Sequence, residues 1–335
     1  MRILVTGGAG FIGSHTCLEL LNNGYEVIVL DNLSNSGEES LNRVKKITGK
    51  KLTFYKVDLL DLNAVKDVFS KESIDAVIHF AGLKAVGESV EIPLDYYSNN
   101  ITGTLNLCYV MKEYNVKKIV FSSSATVYGD PDRVPITEDM KLQATNPYGR
   151  TKLFLEYILK DLYVSDKSFA VSILRYFNPV GAHESGMIGE NPNGIPNNLM
   201  PRMLNVAAGK WKALTVYGDD YDTADGTGVR DYIHIKDLVA GHLKALELLN
   251  THKGVHLHNL GTGTGYSVLD IVKAFEKATG IKIPCEITPR RPGDVAECYA
   301  DVTKAEKELG FKASYSLEQM CKDAWNWQSK NPNGY

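Results

Sequence analysis

A doubly wound parallel α/β sheet with a smaller C-terminal α/β domain is the fold class the sequence predicts, on three observations. Short apolar, β-branched runs alternate with amphipathic stretches through the first half of the chain. A glycine-rich turn joins the first such run to the first helical pattern. After Asn178 the texture changes to a stretch, 181–201, rich in Gly, Pro and Asn and without clean periodicity, as expected of an irregular segment bordering a site.

Taken in order, 2–6 reads as a buried strand, 12–22 as a helix and 26–30 as a second strand. Runs at 53–57, 76–80, 118–122 and 170–176 continue the series. These strands are apolar on both faces, which predicts a parallel sheet covered by helices and joined by right-handed crossovers. Further on, a helix is expected near 199–208, a strand near 215–217, a loop through Gly228, a helix at 239–249, a strand at 255–260 and a helix at 269–279. The chain shows no internal repeat and no low-complexity tract.

Composition narrows the function classes. The 335 residues suit roughly two domains of about 150 residues each. With 37 Lys and Arg against 40 Asp and Glu, the formal charge of -3 offers no basic surface for nucleic acid. Five scattered cysteines, Cys17, Cys108, Cys285, Cys298 and Cys321, include no Cys-x-x-Cys pair, which argues against a disulfide framework or a zinc ribbon. No metal-ligand cluster is legible. No apolar stretch reaches membrane-spanning length, and the first strand begins too early for a signal peptide, so a cytoplasmic protein without membrane partners is expected.

Gly7-Gly8-Ala9-Gly10-Phe11-Ile12-Gly13 lies between a strand and a helix. Gly8, Gly10 and Gly13 satisfy Gly-x-Gly-x-x-Gly, and Gly7, Gly10 and Gly13 satisfy Gly-x-x-Gly-x-x-Gly. Such a turn lets backbone approach a pyrophosphate at the positive end of a helix. Asp31, at the tip of the next strand, can accept the adenosine ribose hydroxyls and would repel a 2′-phosphate, which favours NAD over NADP. Asp58 and Phe80-Ala81-Gly82 follow the third and fourth strands, at the sheet edge where such folds bind ligands. The chain is therefore divided into a dinucleotide-binding Rossmann domain, 1–178, with elements of about 229–260 returning to it, and a second domain, 179–335.

Tyr148 and Lys152 stand four apart on a helix that follows Asn146-Pro147, hence on one face. A phenol with a reference pKa of about 10 is a poor base at neutral pH. A nearby ammonium and the positive nicotinamide of NAD would pull it toward the working range. Ser122-Ser123-Ser124 ends the preceding strand.

These residues carry a resemblance. The chain resembles the extended short-chain dehydrogenase/reductase superfamily and, within it, the UDP-glucose 4-epimerases. The stretches that carry it are the glycine turn with Ser14-His15, Phe80 to Ser89, Ser122 to Gly129, Tyr148-Gly149-x-x-Lys152 and Arg175-Tyr176-Phe177-Asn178-Pro179. Ile195 to Pro201 and Asp225-Gly226-Thr227-Gly228-Val229-Arg230-Asp231-Tyr232 are the most specific to the epimerases. The resemblance implies an isomerase that keeps its NAD and interconverts UDP-glucose and UDP-galactose through a 4-keto sugar. Tyr148 would be the acid/base at the sugar 4-OH, Lys152 would bond the nicotinamide ribose and tune Tyr148, and Ser124 would bond the reacting oxygen.

The cofactor set expected is Gly7, Gly10, Phe11, Ile12, Gly13, Asp31, Asn32, Asn35, Ser36, Asp58, Leu59, Phe80, Ala81, Gly82, Lys84, Asn99, Ser122, Tyr148, Lys152 and Phe177. For the UDP-sugar it is Ser124, Asn178, Asn198, Leu199, Tyr217, Arg230, Arg291, Asp294 and Cys298, with Arg230 and Arg291 on the diphosphate. A homodimer is implied through helices of the first domain. Cys298 stands where the family carries either Tyr or a smaller residue, so UDP-GlcNAc and UDP-GalNAc are expected to be accepted as well.

Two other functions share this fold class. A nucleotide-sugar 4,6-dehydratase of the same fold needs an acid just after the catalytic Ser or Thr, and here Ala125 and Thr126 follow Ser124. A non-catalytic NAD-sensing protein has no need of Ser124, Tyr148 and Lys152 together. Gly261-Thr262-Gly263-Thr264-Gly265 reads better as a strand-to-helix turn before the capping pair Ser267 and Asp270 than as a second phosphate loop. His79 and His234 read as packed structural histidines.

Overall fold

The computed structural model describes residues 1–291 and 293–335. Packing divides them into two compact units, each formed by discontinuous segments. Unit 1 comprises Met1–Gly129, Leu142–Arg175 and Val239–His258; unit 2 comprises Asp130–Lys141, Tyr176–Leu238 and Asn259–Tyr335.

In chain order the strands are β1 (Arg2–Thr6), β2 (Glu26–Asp31), β3 (Thr53–Lys56), β4 (Ala76–His79), β5 (Lys118–Ser124), β6 (Ala170–Tyr176), β7 (Asn178–Val180) and β8 (Leu214–Tyr217). They continue with β9 (Val229–His234), β10 (Gly254–Leu260), β11 (Gly265–Ser267), β12 (Cys285–Thr288) and β13 (Glu297–Cys298). Unit 1 is built on a seven-stranded sheet in the order β10-β6-β5-β4-β1-β2-β3. The β1–β2, β1–β4, β2–β3 and β4–β5 pairs are all parallel. Ile3, Leu4 and Val5 in the centre are wholly buried, and each such side chain contributes roughly 1.5–3 kcal/mol. β3 departs from the both-faces-buried expectation: Thr53 and Lys56 are exposed because the strand lies at the sheet edge.

The helices of this half are α1 (Phe11–Asn22), α2 (Glu39–Thr48), α3 (Leu62–Lys71), α4 (Val86–Glu91), α5 (Pro93–Tyr97), α6 (Gly103–Glu113) and α7 (Pro147–Ser165). A π-helical turn, Ser98–Thr102, links α5 to α6, and a 3₁₀ turn, Ala125–Val127, follows β5. Asn146 caps α7 by accepting the Gly149 N–H at 2.9 Å, and Pro147 sits at a position where its missing donor costs nothing. The core beneath the sheet joins Leu4, Val77, Leu107, Ile119, Phe121, Leu155 and Ile173.

Unit 2 carries α8 (Leu199–Ala207), α10 (Val268–Thr279), α11 (Thr303–Leu309) and α12 (Leu317–Lys330), while α9 (Ile235–Thr251) crosses the boundary at Leu238. Its strands form β11-β9-β13, with β7 also on β9, and a separate β12-β8 pair. A second core gathers Met200, Met203, Leu214, Tyr232, Ile271, Phe275 and Cys321. Ser267 and Asp270 form the full capping box of α10.

The segment that returns to unit 1 is shorter than the expected 229–260. β9 stays in unit 2 because its edges are taken by β7, β11 and β13, and only Val239–His258 goes back. Among the described residues no helix is long and apolar enough to cross a membrane.

Candidate functional site

In unit 1 the predicted cofactor residues collect at the carboxyl ends of β1, β2, β4 and β5. Gly7 has φ +69°, and a Cβ there would lie 2.7 Å from the Ala81 nitrogen. A Cβ on Gly13 would lie 2.2 Å from the Gly7 oxygen, so the turn closes and α1 packs on β1 only with glycine. At Gly10 the nearest atom would be 3.4 Å away, leaving the backbone approachable beside Phe11 and Ile12, and no side chain caps the N-terminus of α1.

Asp31 is buried and already accepts three bonds, from the Ala9 N–H (3.0 Å), the Leu33 N–H (2.8 Å) and Ser36 Oγ (3.0 Å). A carboxylate has about four acceptor sites, so Asp31 is oriented and keeps capacity for a ligand hydroxyl. Asn32 donates to Asp58 Oδ2 at 2.9 Å, tying β2 to the turn after β3, and Leu59 is buried beneath Gly103. Asn35 and Lys84 are exposed; Phe80 lies 4.9 Å from the His242 ring.

Ser122 Oγ is buried and has no hydrogen-bond partner among the described residues. An uncapped helix end, a glycine turn with open backbone and an orphaned hydroxyl together fit a dinucleotide. Asn99 donates to Asn100 Oδ1 at 2.9 Å. Asn100, which sequence reasoning missed, accepts the Leu83 N–H at 2.8 Å and donates to Thr151 at 3.1 Å, so it braces the Gly82 turn against α7. The Asn-Asn pair inside a helical pattern was the available signal.

Ser124, Tyr148 and Lys152 come together within unit 1, all less than 10% exposed. Lys152 Nζ donates to the Ser122 carbonyl at 2.8 Å and stands 6.0 Å from the Tyr148 ring centroid. Burial pushes the Tyr148 phenol up to about 12, against the opposing effect of its hydrogen bond with Ser124. Burial likewise lowers Lys152 to about 8. Desolvation thus outweighs the lowering by Ser124, and Tyr148 is shifted upward, against the expected downward pull. Ser124 Oγ accepts from both Thr126 N–H (3.2 Å) and Thr126 Oγ1 (3.0 Å), which leaves its own proton for Tyr148. Thr126 is a second residue that sequence reasoning missed.

His79 lies behind this group, between Thr6 Oγ1 (2.6 Å) and Thr104 Oγ1 (2.9 Å). Burial, with Lys152 nearby, lowers it to about 3, so it stays neutral and structural.

In unit 2, Arg291 and Asp294 form a two-point pair (2.9 and 3.2 Å), and the Arg291 guanidinium lies 5.4 Å from the Tyr217 ring. Arg202, not predicted, lies 5.5 Å from the same ring, one turn beyond Leu199 on α8. Arg230 Nη1 donates to the carbonyls of Val229 (2.8 Å) and Ala296 (3.4 Å). Cys298 pairs with Arg230 in the β13–β9 register and is half-buried; burial raises its thiol to about 11. Asn178 opens β7, and Asn198 is exposed at the start of α8 and reaches Glu190 at 3.3 Å. Phe177 is buried in unit 2, its N–H on the Leu260 carbonyl at 3.3 Å.

Asp231 anchors this region. It is buried and accepts from Thr262 N–H (2.8 Å), Thr262 Oγ1 (2.7 Å), Gly263 N–H (3.0 Å) and Ala300 N–H (3.2 Å). The Gly261–Gly265 turn is therefore held by a carboxylate, as a structural turn rather than a phosphate loop.

A family model described as GDP-mannose 4,6 dehydratase matches residues 4–324. The UDP-glucose 4-epimerase of Bacillus subtilis is 66% identical over 335 residues, covering 100% of this chain and 99% of that protein. The chain belongs to the UDP-glucose 4-epimerase family. The crystal structure of a Bifidobacterium longum member of that family, with NAD+ and UDP, superposes with a TM-score of 0.97 at 58% identity, covering 100% of each chain. A UDP-Glc/GlcNAc 4-epimerase from Campylobacter jejuni reaches 0.86 at 38% identity, covering 98% of this chain and 99% of that one. Ala125 and Thr126 follow Ser124, where an acid is expected of a dehydratase.

Proposed function

We propose that the chain is an NAD-dependent isomerase that inverts C4 of UDP-hexoses, interconverting UDP-glucose and UDP-galactose. The observation that carries the reading is the buried grouping of Ser124, Tyr148 and Lys152 in the unit that bears the glycine turn. NAD, when bound, would supply a reversible hydride acceptor for the sugar C4. Tyr148 takes the 4-OH proton and gives it back. Ser124, with its proton released by the two Thr126 bonds, stabilises the Tyr148 phenolate. Lys152, held by the Ser122 carbonyl 6.0 Å from the Tyr148 ring, would bond the cofactor ribose. Burial of all three excludes water, so the keto sugar is retained for the second half-reaction.

Gly7, Gly10, Phe11, Ile12, Gly13, Asp31, Asn32, Asn35, Ser36, Asp58, Leu59, Phe80, Ala81, Gly82, Lys84, Asn99, Ser122 and Phe177 are the cofactor contacts in this reading. Arg230 and Arg291 hold the diphosphate, Tyr217 the uracil and Asp294 its ribose, with Asn178, Asn198 and Leu199 on the nucleotide-sugar. A second substrate pair, UDP-GlcNAc and UDP-GalNAc, is favoured by the short side chain of Cys298. A coupled assay of purified protein on UDP-galactose, without added NADH, tests the reading; absence of UDP-glucose would refute it.

The protein is further proposed to be a cytoplasmic homodimer. Its five cysteines are all unpaired, which suits a reducing compartment. Leu94 on α5, Tyr109 on α6, and Phe154 and Tyr157 on α7 are exposed apolar groups of the unit 1 helices. Sedimentation of the purified protein tests the dimer, and cell fractionation the compartment.

A further inference from the structure

Three consecutive serines at the end of β5 meet three successive turns of α7. The Ser122 carbonyl takes Lys152, the Ser124 hydroxyl takes Tyr148, and Ser123 Oγ donates to Glu156 Oε1 at 2.5 Å. Tyr148, Lys152 and Glu156 are spaced by four and all buried, Glu156 completely. Glu156 is also gripped by Arg175 on β6, through Nε at 2.8 Å and Nη2 at 2.6 Å. Arg175, itself 1% exposed, donates through Nη1 to the Tyr128 hydroxyl at 3.0 Å and lies 4.9 Å from that ring. Ser123 and Tyr128 flank the Ser124–Val127 segment on its two sides, so one buried ion pair holds both ends of the segment that carries Ser124 and Thr126.

A buried ion pair is a poor source of net stability, since apolar side chains of similar volume serve as well. What it adds here is direction: charge-assisted bonds that fix Ser123 and Tyr128 relative to the helix of Tyr148. We propose that Glu156 and Arg175 are positioning residues for the epimerisation, setting the Ser124 hydroxyl against Tyr148 through Ser123 and Tyr128. The proposal rests on the reading of Ser124, Tyr148 and Lys152 as the catalytic group.

The test uses the holoenzyme and two mild variants, Ser123→Ala and Tyr128→Phe, each removing one hydrogen bond, beside Glu156→Gln. In both mild variants kcat for UDP-galactose should fall about ten-fold, with KM within about two-fold of wild type and bound NAD unchanged. Among the described residues, Lys152 on its own helix and Tyr96 on α5 are titratable groups near Tyr148, and neither is altered. Ser124 then donates less well to the phenolate, so the pH profile of kcat should move to the alkaline side by about half a unit to one unit. Phenolate absorbance of the NAD-loaded protein, taken as a difference from Tyr148→Phe, should move the same way. Glu156→Gln should show the same split more strongly; if it fails to fold, the two mild variants still decide. Wild-type kcat and pH profile in both, with only a lowered Tm, would overturn the proposal. A wild-type enzyme with no turnover of UDP-galactose would instead remove the catalytic reading on which it rests.

Discussion

Lys152 and Arg291 are both cations proposed to work beside a nucleotide, yet the molecule houses them in opposite ways. Lys152 is buried in unit 1 against the Ser122 carbonyl, at a burial that lowers it to about 8. Arg291 is exposed in unit 2, already neutralised by Asp294 and lying near a tyrosine ring. The first arrangement suits a charge that must act on a neighbour's proton in a dry setting, where electrostatic influence is strong. The second suits a charge that must exchange one anionic partner for another, at little desolvation cost. On the proposed roles, unit 1 carries features of chemistry and unit 2 features of capture.

The sharpest way to break this contrast is Tyr148→Phe. We expect kcat to fall by about 10³ with KM and bound NAD nearly unchanged, since general acid–base catalysis contributes about 10²–10⁴. Steady-state kinetics on NAD-loaded protein would measure it; a raised KM instead would move Tyr148 to the capture side. Next in size, Arg291→Ala should raise KM for UDP-galactose by roughly 10–100-fold with kcat largely kept, the loss of a charge-assisted contact. A fall confined to kcat would erase the distinction between the units.

Smaller still is the effect of Cys298→Tyr, which should reduce kcat/KM for UDP-GalNAc about ten-fold while sparing UDP-galactose, on the scale of one pocket contact. Equal losses on both sugars would count against Cys298 as a gauge of the 2-substituent. The last prediction concerns His79. Its folded-state value, about 3, lies below the ordinary 6.5, so the unfolded chain binds the proton first. Its contribution is complete above pH 6.5 and declines as pH falls toward 3, by about 1.4 kcal/mol for each unit. Tm of wild type should therefore drop more steeply below pH 6.5 than that of His79→Gln; parallel curves would mean that water reaches this end of the sheet.

The contrast also explains what could be read without coordinates. Unit 1 was legible because a parallel sheet demands continuous apolar runs, and because the glycine turn and the Tyr148–Lys152 spacing are local. Its helices α4 and α5 are too short for a periodic signal, and the edge position of β3 depends on topology, which the apolar run at 53–57 does not reveal. Asn100 and Thr126 act through partners distant in sequence or through a hydroxyl's direction, which spacing does not reveal. In unit 2, β11 and β13 have three and two residues, so neither can show alternation. β9 was misplaced toward the first domain because its neighbours, β7, β11 and β13, are themselves too short to announce themselves. Arg202 gave no signal because its meaning comes from Trp211 and Tyr217, which the fold brings to it.

The π-helical turn Ser98–Thr102 carries one more consequence, for how the chain tolerates change in length. It accommodates one residue more than an α-helical turn would at the junction of α5 and α6. Deleting a single residue there would let the helix run through as ordinary α with α5 and α6 nearly in their present phase, because the wide turn holds the extra residue within one revolution. Tyr96, whose hydroxyl receives the Ala85 N–H at 3.0 Å and reaches Glu88 at 2.6 Å, would keep both partners. The same deletion within α5 or α6 would turn one against the other by roughly 100°, so lineages should lose a residue at this junction before they lose one on either side.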